Sequence, residues 1–199
     1  MVIGITGPAG SGKSTVAHFI KKLLLKNVQI VEVDRVGHQV LTLFFVQEEL
    51  REVFGEEIFD GNNILSRKKL GNIVFKDKEK LEILNKIVHP EILKKTKEIL
   101  NKSLKKSDII ILDAALLYKI GLHVLCDKVI FVDAPKEIRI KRLTGSRKIP
   151  YQKAKSIVDS QEGEYFGPYD FIICDDNGFE KLEKQIREIL KNLGYLKDA

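Results

Sequence analysis

A run close to the first residue has the types and spacing to hold a phosphate chain. Gly7-Pro8-Ala9-Gly10-Ser11-Gly12-Lys13-Ser14 fits the pattern G-x-x-x-x-G-K-[ST]. Glycines let the backbone curl so that several N–H groups converge on one anion. A helix that starts directly after them adds the positive end of its dipole. Lys13 supplies a cation to the β- and γ-phosphates, and Ser14 offers a hydroxyl to Mg²⁺. The candidate nucleotide contacts are therefore Ala9, Gly10, Ser11, Gly12, Lys13, Ser14 and Thr15. Such a loop points to a nucleoside triphosphate. It does not say what receives the phosphate, because ATPases, GTPases, small-molecule kinases and motor modules all carry it.

Phosphoryl transfer to an alcohol also needs a carboxylate that accepts the hydroxyl proton, and groups that hold the metal. In a parallel sheet, ligands gather beyond the carboxyl ends of the strands. Asp34 follows the second strand-like run and Asp113 closes the third, so both join Lys13 as candidate catalytic residues. Asp34 also precedes a helical stretch, and capping that helix is the other reading of it. Asp133, at the end of the fourth run, reads as structural. Arg139, Arg142 and Arg147 come next in the chain. Arginines placed there suit a lid that covers a triphosphate and excludes water. Arg142 and Arg147 are candidate nucleotide contacts, while Arg139 reads as part of a solvated helix face.

These residues need elements to position them. Val2–Thr6 is a short, β-branched apolar run that ends in the glycine-rich loop, which predicts a buried strand and a turn. From Lys13, apolar residues recur three and four apart (Val16, Phe19, Ile20, Leu23, Leu24), the stripe of an amphipathic helix. Strands are predicted over Val28–Val33, Asp108–Asp113, Val129–Asp133 and Phe171–Cys174. Helical patterns over Ile138–Leu143, Tyr151–Gln161 and from Phe179 to about Leu193 separate the later ones. Strand and helix in alternation predict an α/β fold with a five-stranded parallel sheet. Residues 48–106 lack strand-like runs and read as an all-helical insertion, with Pro90 where one helix ends or another starts. Residues 139–167 read as the lid region of a single domain spanning 1–199.

Composition narrows the class. The chain has 199 residues, 44% hydrophobic and 31% charged, with a net charge of +6. Whole-chain disorder, collagen and coiled coil are excluded. The two cysteines, Cys126 and Cys174, make no C-x-x-C pair and read as small buried hydrophobes in a reducing cell. The start of the chain lacks the basic and apolar regions of a signal peptide, and no window approaches the ~20 apolar residues of a membrane span. A cytoplasmic protein is expected, with no membrane or nucleic-acid partner, as a monomer or weak homo-oligomer. Basic and aromatic residues are not interleaved as single-strand binders require. A nucleotide-switched binding module is the non-enzymatic alternative, but neither a switch loop nor an N-K-x-D motif is present.

Over nearly its whole length the sequence resembles the dephospho-CoA kinase family. The glycine-rich opening runs from Ile3-Gly4-Ile5-Thr6-Gly7 to Gly12-Lys13-Ser14-Thr15-Val16-Ala17. After the second strand comes Asp34-Arg35-Val36-Gly37-His38, matching D-x-[IV]-x-H. Arg67 stands in a segment close to D-R-x-x-L-x-x-x-V-F, and Leu84-Asn85-Lys86-Ile87-Val88-His89-Pro90 matches L-N-x-I-x-H-P. Arg142-Leu143, Arg147 and Gln161 follow a later pattern of the family. The sequence departs from the family at Ala115, Lys119 and Arg139, where proline, glutamate and glutamine are usual. The resemblance implies the three-layer P-loop kinase fold and transfer of phosphate from ATP, with Mg²⁺, to the ribose 3′-hydroxyl of dephospho-CoA. It implies that Asp34 is the base near that hydroxyl. His38, Arg67 and His89 then become acceptor contacts, and the helical insertion the acceptor domain. The residues by themselves leave the acceptor open to a nucleoside, nucleotide or sugar, and leave His38 and His89 open to a structural role.

Overall fold

The structure is a computed structural model that describes residues 1–24, 27–146, 148–163, 166–176 and 178–196. Five parallel strands form one sheet: β1 (Val2–Thr6), β2 (Val28–Glu32), β3 (Ile109–Asp113), β4 (Lys128–Asp133) and β5 (Phe171–Cys174), in the spatial order β2-β3-β1-β4-β5. The strand that feeds the glycine-rich loop is therefore central. Its register sets Ile5 beside Asp113 of β3 and Thr6 beside Phe131 of β4. β1 and β3 are buried throughout and apolar up to their last residues, Thr6 and Asp113, as strands covered on two faces must be. Helix α1 (Lys13–Leu23) buries Val16, Ala17 and Ile20 against the sheet. The last helix, α8 (Phe179–Asn192), adds Leu182, Ile186, Ile189 and Leu190 to the same core cluster. Helices α6 (Lys136–Gly145) and α7 (Tyr151–Ser160) pack on each other through Leu143, Ala154 and Val158, with Ala9 of the loop against them.

The chain divides into two compact units. The first holds Met1–Glu32 and Leu100–Ala199, and with them the sheet. The second is Val33–Ile99, with α2 (Val33–Val40), α3 (Phe44–Phe54), α4 (Arg67–Val74) and most of α5 (Lys78–Ser103). This helical unit starts earlier than residue 48 and ends before 106. The reason is local: α2 begins directly after β2, and it packs against α5 where Gly37 meets Ile92. Ser66 caps α4 by accepting a hydrogen bond from the Lys69 amide at 3.4 Å. Pro90 does not break a helix as predicted. It lies inside α5, which runs unbroken through it. A proline there removes one backbone bond and crowds the preceding turn, at a cost of ~3 kcal/mol. Burial of Ile87, Val88 and Ile92 on both sides of it holds the helix together.

The two cysteines are also not alike. Cys126 is half-buried, and burial together with Asp127 pushes its thiol up to about 12. It stays a protonated, unreactive group. Cys174 is exposed, because side chains alternate along the edge strand β5 and it is Phe171 and Ile173 that face the core.

Just before β5, the Asp170 carboxylate accepts hydrogen bonds from Lys128 Nζ at 2.7 Å and from the Val129 amide at 2.8 Å. The Lys128 ammonium draws this carboxyl below the ordinary carboxylate value, against a smaller opposing effect of burial. A carboxyl depressed in this way stabilises the fold above its unfolded value and loses that contribution as pH falls through the folded one. Asp170→Asn is expected to cost about 1 kcal/mol at pH 7. The gap to the wild type should narrow as pH falls below about 4, where the wild-type carboxyl takes up its proton. Urea titrations across that range check it; a gap independent of pH removes the ion pair from the account.

Candidate active site

The loop Gly7–Gly12 joins β1 to α1 at the carboxyl edge of the sheet. Two glycines are there by necessity. Gly7 has φ +145, and a Cβ on it would run into the Val132 carbonyl. Gly12 caps α1 with φ +101 in the left-handed region, and a side chain there would meet the Asp175 carboxylate. The chain folds back far enough that Lys13 Nζ donates to the Gly7 and Pro8 carbonyls, at 3.0 and 2.9 Å. The ammonium is thus kept over the loop.

Because β3 is the neighbour of β1, its last residue reaches the start of α1. Ser14 Oγ donates to Asp113 Oδ2 at 2.5 Å, the length of a charge-assisted bond. Asp113 is only 8% exposed. A hydroxyl and a carboxylate are the hard oxygen donors that Mg²⁺ takes. Among the described residues no cluster of three or more His, Cys, Asp or Glu could hold a metal. Ser11 Oγ is buried in the loop and has no hydrogen-bond partner among the described residues, so a polar position is left for a ligand to satisfy.

Arg142, on α6, lies over the same loop. Its Nη1 donates to the Gly10 and Ser11 carbonyls at 3.3 and 3.0 Å, and its Nη2 pairs with Asp175 Oδ2 at 2.9 Å. The Asp175 side chain is only 4% exposed. Gly10, Gly12, Lys13, Ser14, Thr15 and Arg142 line a cavity of about 290 Å³. If Arg142 meets the nucleotide in this cavity, Arg142→Ala should raise KM for ATP roughly tenfold. An unchanged KM assigns the guanidinium to holding the loop carbonyls alone.

The sequence-predicted residues of the first unit therefore come together: the loop, Asp113 and Arg142. Ala9 is part of the loop, but its amide is committed to the Gln161 side chain at 2.9 Å. Arg139 differs from expectation. It is 7% exposed rather than solvated, and its Nε donates to the Ala9 carbonyl at 3.0 Å. Helical spacing puts Arg139 and Arg142 one turn apart on α6, so a helix that covers the loop buries both. Burial lowers the Arg139 pKa, with Asp133 and Glu162 acting in the opposite sense. Asp133 accepts from the Ala134 amide at 2.8 Å and shapes the turn into α6. Arg147 lies outside the described residues.

In the second unit, Asp34 and His38 are both exposed and one turn apart on α2. Asp34 is the second residue of that helix and not its N-cap. Arg67 is exposed and opens α4 directly after the Ser66 cap. His89 is half-buried on α5 beside Pro90. Sequence reasoning gave no role to Asp175, although the rule that picked out Asp34 and Asp113 applies to it, since it follows β5 directly. Nothing in residue type alone marked Arg139 as buried.

A family model described as dephospho-CoA kinase matches residues 1–167. A dephospho-CoA kinase of Fusobacterium nucleatum is 34% identical over 195 residues, covering 97% of this chain and 98% of the relative. One from Aquifex aeolicus is 33% identical over 196 residues, covering 96% of each. Among solved structures, the dephospho-CoA kinase from Campylobacter jejuni superposes with a TM-score of 0.69 at 26% identity, over 96% of both chains. A shikimate kinase from Bacteroides thetaiotaomicron, at 13% identity and a TM-score of 0.50, shares the fold alone. With these matches running the length of both partners, the chain belongs to the dephospho-CoA kinase family.

Proposed function

We propose that this protein transfers the γ-phosphoryl group of ATP to the ribose 3′-hydroxyl of dephospho-CoA, giving coenzyme A and ADP. The observation that carries the proposal is the Ser14–Asp113 pair beside the glycine-rich loop and Lys13. It is what a triphosphate with its metal needs, in a chain that matches the family from end to end. The loop amides and Lys13 hold the β- and γ-phosphates and offset the charge that builds on the oxygens of the moving group. Ser14 and Asp113 would hold Mg²⁺, which neutralises charge on the β- and γ-phosphate oxygens when bound. Asp34 accepts the proton as the hydroxyl oxygen bonds to the γ-phosphorus. The bond from that phosphorus to the bridging oxygen breaks, and the electron pair leaves with ADP. Arg142 contacts the nucleotide, with Arg147 as a second contact. His38, Arg67 and His89 bind the acceptor.

No helix among the described residues is long and apolar enough to cross a membrane. A reaction between two dissolved phosphorylated substrates fits the cytoplasm. A coupled ADP-release assay with Mg-ATP tests the assignment. Release should depend on dephospho-CoA and should not occur with nucleosides, nucleotides or sugars. Release with one of those and not with dephospho-CoA transfers the same machinery to a different acceptor.

A further inference from the structure

We propose that Gln161 and Arg139 form a clamp on Ala9 that sets the phosphate-binding shape of the glycine-rich loop, with Gln161 as a positioning residue for ATP. The proposal rests on the ATP-dependent reading of the loop and adds residues that reading leaves without a role. Gln161 is the residue directly after α7. Its Oε1 accepts from the Ala9 amide at 2.9 Å and from Arg139 Nη2 at 3.0 Å. Arg139 Nε closes the ring by donating to the Ala9 carbonyl at 3.0 Å. Both partners of Oε1 are donors, so the network itself requires the oxygen, and not the nitrogen, of the Gln161 amide at this position.

The consequence follows from the planarity of the peptide unit. All peptide bonds described are trans, so a carbonyl and the next N–H share one rigid plane and point opposite ways. The Ala9 N–H belongs to the plane that carries the Pro8 carbonyl, and that carbonyl accepts from Lys13 Nζ at 2.9 Å. The bond from Gln161 therefore orients an acceptor for the Lys13 ammonium on the far side of the same plane. The Ala9 carbonyl belongs to the plane that carries the Gly10 N–H. Gly10 has φ +79, and a glycine lets the plane before it turn over at little steric cost. Arg139 removes that freedom by holding the carbonyl end. Two side chains thus fix two successive planes of the loop, one leading to the lysine and the other to a loop amide.

The Arg139 guanidinium is buried, and its hydrogen bonds go to two neutral oxygens. Apolar contacts already seat α6 and α7 on one another through Leu143, Ala154 and Val158. The polar ring is thus free to serve orientation. Both bonds to Gln161 need only an acceptor, and a carboxylate supplies one. Gln161→Glu should keep the clamp, whereas Gln161→Met keeps the length and removes it.

Equilibrium binding of a non-hydrolysable ATP analogue with Mg²⁺ to the whole chain, by calorimetry, is the test. It needs no acceptor, so its result stands apart from the acceptor assignment, which the ADP-release assay decides separately. Gln161→Met is expected to weaken binding roughly tenfold. In turnover the loss should appear in KM for ATP, with KM for the acceptor unchanged. Gln161→Glu should recover binding to within about threefold of wild type. The double variant with Arg139→Met should be little worse than the poorer single variant, because both groups hold the same residue. Wild-type binding by Gln161→Met overturns the clamp. So does an equal loss in Gln161→Glu, or a loss shared by the acceptor KM. Should Gln161→Met fail to fold, Arg139→Lys keeps the buried charge but lacks the planar fork that reaches both oxygens. The same tenfold weakening is then expected, and wild-type binding again overturns it.

Discussion

Lys13→Ala is expected to lower kcat for phosphoryl transfer by at least ~10³-fold, the upper end of what one preorganised donor contributes at a centre of developing charge. Lys13 is the one residue of the Gly7–Ser14 loop with a cationic side chain, and the proposed mechanism gives it the β- and γ-phosphates. Its ammonium is already folded over the loop on the Gly7 and Pro8 carbonyls. The substitution leaves the fold in place, because α1 is held by Val16, Ala17 and Ile20, which lie on its buried side. Circular dichroism should be unchanged while ADP release is lost. A variant that keeps its rate to within tenfold takes Lys13 out of the mechanism, and the loop would then act through its amides alone.

Asp34→Asn comes next in size and has a different signature. A general base contributes ~10²–10⁴-fold, so kcat should fall by at least ~10². The change is isosteric and the residue is exposed on α2, so stability should hold. The proposed mechanism assigns ATP binding to the loop, so KM for ATP should stay near its wild-type value. A fall in kcat without a change in KM is the mark of a group needed only in the transition state. Wild-type turnover by the asparagine variant would falsify the assignment of Asp34 as the base. Since Asp34 stands inside α2 and not at its cap, helix capping does not then explain the residue either.

Much of this was legible in residue order. The five strand runs lie within a residue or two of their observed ends, because a buried parallel strand must be apolar on both faces and its β-branched run stands out. The loop was legible for a similar reason: only glycine tolerates the backbone that converging amides require. Asp34 and Asp113 stand out in the sequence because one lies just past the carboxyl end of a strand and the other ends one, where ligands gather. Other features had no local sign. Pro90 carries a strong tendency to end a helix, yet burial of Ile87, Val88 and Ile92 overrides it. The edge position of β5 exposes Cys174, and strand order is not written in any one strand.

Residue types and spacing alone determined that this chain carries a glycine-rich loop of the phosphate-binding pattern at Gly7–Ser14, that its sheet is parallel, and where acids meet the strand ends. Those properties are local, set by backbone sterics and by apolar periodicity over a few residues. Tertiary structure decided which acid meets Ser14, because the order β2-β3-β1-β4-β5 puts the end of β3 beside β1 and β2 one strand further away, while Asp133 at the end of β4 is turned to the Ala134 amide. It also decided that Arg139 is buried on Ala9 and that Gln161, distant in sequence, completes the ring. A guanidinium looks the same in sequence whether it faces water or a carbonyl. Only the packing of α6 and α7 over the loop separates the two.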